Sequence, residues 1–141
     1  MKIEFYDEID PALLRFSVII ARSGGQLVLC KHRARDTYEF PGGHIEAWES
    51  AEDAARRELY EETGAVEFEL QPVCAYSAEG KNRANEDGGK SFGMLFLAEI
   101  TAFESVLHSE MEKIELFDVL PPNMTYPEIQ PALLRELSHR T

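Results

Sequence analysis

Apolar residues recur along this chain in short strand-like runs, interrupted by two stretches of helical period. Residues 16–21 form a β-rich run, and residues 27–31 return as a second. Between them Ser23, Gly24, Gly25 and Gln26 make a hairpin-type turn, with glycine supplying positive φ. A basic loop, 32–37, leads into a short extended piece at 38–40, stopped by Pro41, Gly42 and Gly43. The spacing predicts a helix over about 50–63, with Ser50 as N-cap, Asp53 at N3 and Gly64 just past the end. Residues 66–77 read as a strand interrupted by Pro72, and 79–90 as a long polar loop. Residues 91–101 are apolar almost throughout, the mark of a strand buried on both faces. A polar, acid-rich connection over 108–113 precedes a strand at 114–119, which Pro121 and Pro122 end. The last helix is expected to begin near Thr125, with Glu128 completing a capping box and Pro127 in the first turn. Its apolar face is Ile129, Ala132, Leu133 and Leu137. Strands on both sides of a helix, with a second helix at the end, imply an α/β (α+β) fold: a mixed sheet covered on two faces.

The first helix carries the chemistry. Glu58 and Glu62 stand at i and i+4, only about 40° apart around the axis. Ala51, Ala54 and Ala55 project onto nearly the same stripe, while Asp53, Arg56 and Tyr60 cluster opposite. The stripe that should face the protein therefore carries small residues and then carboxylates. Unpaired carboxylates on a packed face are costly, so something positive should meet them. A hard divalent cation, which prefers oxygen ligands, fits. A solvated acidic helix end is the plainer alternative, and the polar face opposite weakens it.

The same residues resemble the Nudix box. Gly43, Glu49, Arg57, Glu58, Leu59, Glu61, Glu62 and Gly64 fall in its register, and only Ala65 departs, being smaller than the usual aliphatic residue. The box spans 43–65, and the size and element order of the rest resemble a MutT-like Nudix domain covering 1–141. The resemblance implies an α/β/α sandwich. It also implies a hydrolase that cleaves a diphosphate bond in a nucleotide with Mg²⁺ or Mn²⁺. A nucleoside triphosphate, such as an oxidised purine like 8-oxo-dGTP, would give monophosphate and pyrophosphate. By resemblance, Glu58, Glu61 and Glu62 hold the metal with the Gly43 carbonyl, and Arg57 orients carboxylates. Glu49 would join the same ionic scaffold. A further carboxylate is expected from outside the box: Glu99, with Glu110 and Glu112 as competitors. His44 stands where the best-known MutT-like proteins have Lys. Lys31, Arg33 and Arg35 are candidates for the outer phosphates or the base, and Asn123 for a base-reading amide; a solvated loop and a turn residue are their plainer readings. Trp48 reads as a packing residue, with base stacking as the alternative. Other nucleoside diphosphate derivatives as substrate, a non-catalytic nucleotide-binding module and an isoprenoid isomerase on a related fold are the competing classes. The full acidic set argues against the last two.

Composition limits the partners. The formal charge of −12 disfavours binding nucleic acid polymer or anionic membrane through the net field. No apolar run approaches the roughly 18–20 residues of a membrane span, and the N-terminus is too acidic and broken for a signal peptide. Cys30 and Cys74 read as reduced core thiols of a cytoplasmic protein, a monomer or homodimer, and lack zinc-site spacing.

Overall fold

In the computed structural model, which describes residues 1–105 and 110–140, the strands join one mixed sheet. In chain order they are β1 (Lys2–Tyr6), β2 (Leu14–Ser23), β3 (Gln26–His32), β4 (Tyr38–Glu39), β5 (Gly42–His44), β6 (Ala65–Glu79), β7 (Lys90–Phe103) and β8 (Met111–Phe117). The helices are α1 (Ala51–Thr63) and α2 (Gln130–Arg140). The spatial order is β1-β6-β7-β2-β3-β4, with β5 also on β2 and β8 also on β3. β2 and β7 run parallel; the other pairs are antiparallel.

Strand parity sorts the core into two layers. Ile19, Ala21, Val28, Phe96, Ala98 and Ile100 meet Ala55 and Leu59 of α1. Ile20, Leu29, Leu95 and Leu97 meet Ile129, with Leu133 and Leu137 of α2. This is why residues 91–101 look apolar throughout: alternate side chains serve different helices. The result is the expected α/β/α sandwich.

α1 matches its sequence signals. The Ser50 side chain accepts from Asp53 N–H, and Asp53 accepts from Ser50 N–H. Gly64 ends it in the left-handed region at φ 76°, its N–H donating to the Tyr60 carbonyl. Ala54 and Ala55 are fully buried.

Other expectations need correction. α2 starts at Gln130, not near Thr125. The Thr125 hydroxyl meets Thr37 Oγ1 at 2.6 Å, and its N–H donates to the Tyr38 carbonyl, so it docks a turn on β4 instead of capping. Pro131, in the first turn, is the better start signal. β1 was not expected; Ile3 and Phe5 pack on the α2-side core while the strand pairs with β6. Pro72 does not interrupt β6, because the ladder to β7 shifts register between Pro72 and Cys74. The polar segment 80–89 is an ordered hairpin tip, in which Asn82 and Asn85 exchange backbone hydrogen bonds. β8 begins at Met111, inside the expected connection; residues 108–109 lie outside the described ones.

Candidate active site

Two glycines bring β5 against both the sheet and α1. A Cβ on Gly42 would strike the Ser17 carbonyl oxygen on β2. A Cβ on Gly43 would stand 2.7 Å from Glu58 Oε1. Only a strand without side chains there lets the α1 carboxylates lie on its backbone. Gly42 N–H donates to Glu62 Oε1 at 2.8 Å.

Arg57 ties the remaining carboxylates together. Its Nε and Nη2 donate to the two Glu49 oxygens at 2.6 and 2.9 Å, a bidentate contact. Nη1 donates to Glu58 Oε1 at 2.7 Å and lies 3.5 Å from Glu61 Oε2; Nη2 also reaches the His44 carbonyl at 3.1 Å. The guanidinium therefore connects the loop before the helix, the helix and β5. Glu49 is pushed down to about 2 by these hydrogen bonds. Arg57 is raised in return, above all by Glu49.

Glu58 and Glu62 are perturbed the other way. Burial raises Glu58 despite the Arg57 contact. Burial pushes Glu62 up to about 9; the Gly42 N–H opposes the shift, and Glu58, Glu39 and Glu61 add to it. Cys30, fully buried, has its thiol raised by burial and then by Glu62, Glu39 and Glu58. Neighbouring carboxyls in a poorly solvated site resist ionising together. A hard divalent cation would reverse that penalty, so the donor set and the Gly43 cradle fit such an ion. Among the described residues, no three His, Cys, Asp or Glu side chains are gathered closely enough to hold a metal by themselves.

On the other side of β5 lies a cavity of about 520 Å³. Phe16, Val18, Phe40, Tyr76 and Ile129 give it apolar walls; Arg35, Glu39, Gln130 and the tip residues Asn82 and Arg83 give it polar ones. Gln130 holds the cavity floor, its Oε1 accepting from Phe40 N–H at 2.8 Å.

The structure gathers Gly43, Glu49, Arg57, Glu58, Glu61 and Glu62 at one place. Glu99 does not join them. It shares strand parity with Leu95 and Leu97, which places it on the α2 side of the sheet, and it is exposed. It pairs with Arg22, five residues along β2 from Ser17, where β5 crosses: about 16 Å away. Glu110 bonds His32 and Glu112 bonds Lys31, so both tie β8 to β3. Lys31 is held there and by Asp36. Arg33 is exposed and its N–H donates to the Glu110 carbonyl. Of the three basic candidates, Arg35 lines the cavity. Asn123 donates its amide to the Asp36 carbonyl at 2.8 Å, which holds a turn and leaves it off the cavity wall. Trp48 does not pack: it is 81% exposed. His44 lines the cavity mouth, its ring 4.7 Å from that of Phe16.

Glu39 is the residue the sequence reading missed. It is only 7% exposed, lines the cavity and raises Glu62. Its adjacency to Phe40, Pro41 and Gly42 is the one signal that could have marked it.

An acidic helix is thus pressed on a glycine strand beside a cavity with mixed apolar and polar walls. The NUDIX domain model matches residues 12–137, and the chain belongs to the Nudix family. A Bacillus subtilis protein named putative 8-oxo-dGTP diphosphatase YtkD is 36% identical over 108 residues, 76% of this chain and 64% of that one. An RNA pyrophosphohydrolase of Vibrio cholerae is 33% identical over 61 residues, 43% of this chain and 36% of its own. The matched stretches thus span less than two thirds of these relatives. The crystal structure of the Bacillus subtilis pyrophosphohydrolase BsRppH superposes with a TM-score of 0.77 at 28% identity, covering 97% of this chain and 90% of that one. No helix among the described residues is long and apolar enough to cross a membrane.

Proposed function

We propose that this chain, as one Nudix domain, is a Mg²⁺-dependent pyrophosphohydrolase that cleaves a nucleoside triphosphate to monophosphate and pyrophosphate. The observation that carries the reading is the pair Glu58 and Glu62, partly buried against the Gly42–Gly43 backbone and both raised by that burial, Glu58 despite its Arg57 contact. Glu58 and Glu62 would hold Mg²⁺, with Glu61 and the Gly43 carbonyl completing its protein ligands. When bound, the ion supplies charge neutralisation at phosphate oxygens and makes water more acidic. Arg57 fixes the Glu58 carboxylate and thereby the direction from which the phosphates are approached. The cavity beyond β5 takes the nucleoside, so the scissile anhydride lies between base and carboxylates. The names of the relatives, an 8-oxo-dGTP diphosphatase and an RNA pyrophosphohydrolase, support a 5′-phosphorylated nucleotide. The net charge of −12 favours a small substrate over a polymer. Buried, unpaired Cys30 and Cys74 suit a reducing, cytoplasmic compartment.

The test is a panel of nucleotides assayed for pyrophosphate and phosphate release, with Mg²⁺ and with excess chelator. Mg²⁺-dependent pyrophosphate release from a triphosphate is the expected result. Tight nucleotide binding without turnover would instead make the chain a binding module.

A further inference from the structure

We propose that Arg35 and Glu39 form a base-reading pair selecting a guanine-type purine, with Arg35 Nη1 donating to O6 and Glu39 Oε1 accepting from N1–H. This rests on the nucleotide-hydrolase reading above and goes beyond it by naming the base and its readers. Arg35 Nη1 and Glu39 Oε1 are buried polar atoms with no hydrogen-bond partner among the described residues. They lie 3.7 Å apart, so their charges compensate while their hydrogen-bonding positions stay open. Buried groups left in that condition are costly, and a ligand that satisfies both recovers the loss.

The pair is held in place. Glu39 has Thr125 beside it, which lowers its carboxyl against the effect of burial and whose hydroxyl meets Thr37 Oγ1 at 2.6 Å. Arg35 lies beside Tyr126, lowering its hydroxyl against the effect of burial. Their mutual ion pair and these neighbours hold the two side chains together. Both residues line the cavity with Tyr126, which is the space assigned to the nucleoside.

The chemistry selects the ligand part. A phosphate would meet the Glu39 carboxylate as a like charge. A donor beside an acceptor matches a base edge instead. Guanine places O6 next to two donors, N1–H and the 2-amino group, and one carboxylate oxygen can accept from both. Adenine offers a single donor group on that edge and turns a ring acceptor to the carboxylate. Uracil puts a carbonyl where guanine has its amino group. Hypoxanthine keeps O6 and N1–H and lacks only the amino group, so it should rank second.

The experiment compares kcat/KM for GTP, ITP, ATP and UTP in the wild-type chain and in Glu39→Gln. It also compares binding of GMP and AMP to the wild-type chain by calorimetry. A site built around such hydrogen bonds should favour GTP over ATP by about 10–100-fold, with ITP between and GMP bound more tightly than AMP. Glu39→Gln should cut the GTP-to-ATP ratio at least about tenfold, mainly through KM, because the amide presents a donor beside the ring donors. A wild-type ratio near one, or equal GMP and AMP affinity, overturns the proposal whether or not the variant folds. An equal loss on all four nucleotides in a folded variant also overturns it, assigning Glu39 to the Glu62 cluster. Absence of any hydrolysis would sink the enzymatic reading, and the GMP-against-AMP comparison would still decide this one.

Discussion

Replacing Glu62 by Gln should stabilise the metal-free protein at alkaline pH while removing its activity. An unfolded Glu ionises near 4.5, whereas burial pushes Glu62 up to about 9. Between those values the folded chain keeps a proton that the unfolded chain has released. Stability therefore falls as pH rises through that window, by at most about 1.4 kcal/mol per pH unit. From pH 6 to pH 8 the wild-type chain should lose up to about 3 kcal/mol on this account, roughly 10 °C of melting temperature for a chain of this size. Glutamine has no proton to lose, and its side-chain oxygen can still accept from Gly42 N–H. In excess chelator, Glu62→Gln should thus show a flatter melting profile than wild type between pH 6 and 8 and should melt higher at pH 8. In Mg²⁺ the order should reverse in function: kcat should fall at least about 10²–10³-fold, the usual loss when one electrostatic contact to the transition state is removed. Identical pH slopes for the two proteins in chelator would refute the buried, uncompensated carboxylate. Near wild-type turnover would refute its part in catalysis.

The proton and the cation compete for Glu62, so the apparent Mg²⁺ affinity should rise as pH climbs toward 9, and activity should have an alkaline optimum that moves to lower pH as Mg²⁺ is increased. A pH–rate profile at several Mg²⁺ concentrations checks this; a profile indifferent to Mg²⁺ would contradict it. Gly43→Ala puts a Cβ 2.7 Å from Glu58 Oε1, the end of a side chain that must shift against its Arg57 contact. The three atoms nearest that Cβ all belong to the Glu58 side chain and none to backbone. The melting temperature should therefore change little, while the Mg²⁺ concentration for half-maximal rate rises about tenfold or more. Glu99→Gln, exposed and on the α2 side of the sheet, should leave stability within about 0.5 kcal/mol and kcat within a factor of about two. A hundredfold loss would mean that Glu99 reaches the site after all.

The parts legible in the sequence were those whose signals are local. Ser50, Asp53 and Gly64 bracket α1 through contacts within one turn, and the i, i+4 relation of Glu58 and Glu62 follows from helix geometry. The residues that went astray depend on partners distant in the chain. Glu99 reads as a strand-end carboxylate near the site until parity places it on the far face. Asn123 looks free until Asp36, 87 positions away, accepts its amide. Thr125 looks like a cap until Thr37 takes its hydroxyl. Glu39 is acidic and unremarkable in sequence, and only the approach of Arg35, Thr125 and Tyr126 buries it. Trp48 went astray the other way: its apolar bulk suggests packing, but it is exposed in the loop before α1.

The central claim is that the Glu58–Glu62 site directs water to the middle phosphorus of a nucleoside triphosphate held by its base on the far side of β5. Hydrolysis in ¹⁸O-labelled water, followed by mass spectrometry of the products, tests it most directly. With Mg²⁺ present, the label should appear in pyrophosphate and not in the nucleoside monophosphate, and excess chelator should abolish both products. Label in the monophosphate would place the attack at the inner phosphorus and contradict the substrate orientation. Undiminished hydrolysis in chelator would contradict the metal-holding role of Glu58 and Glu62.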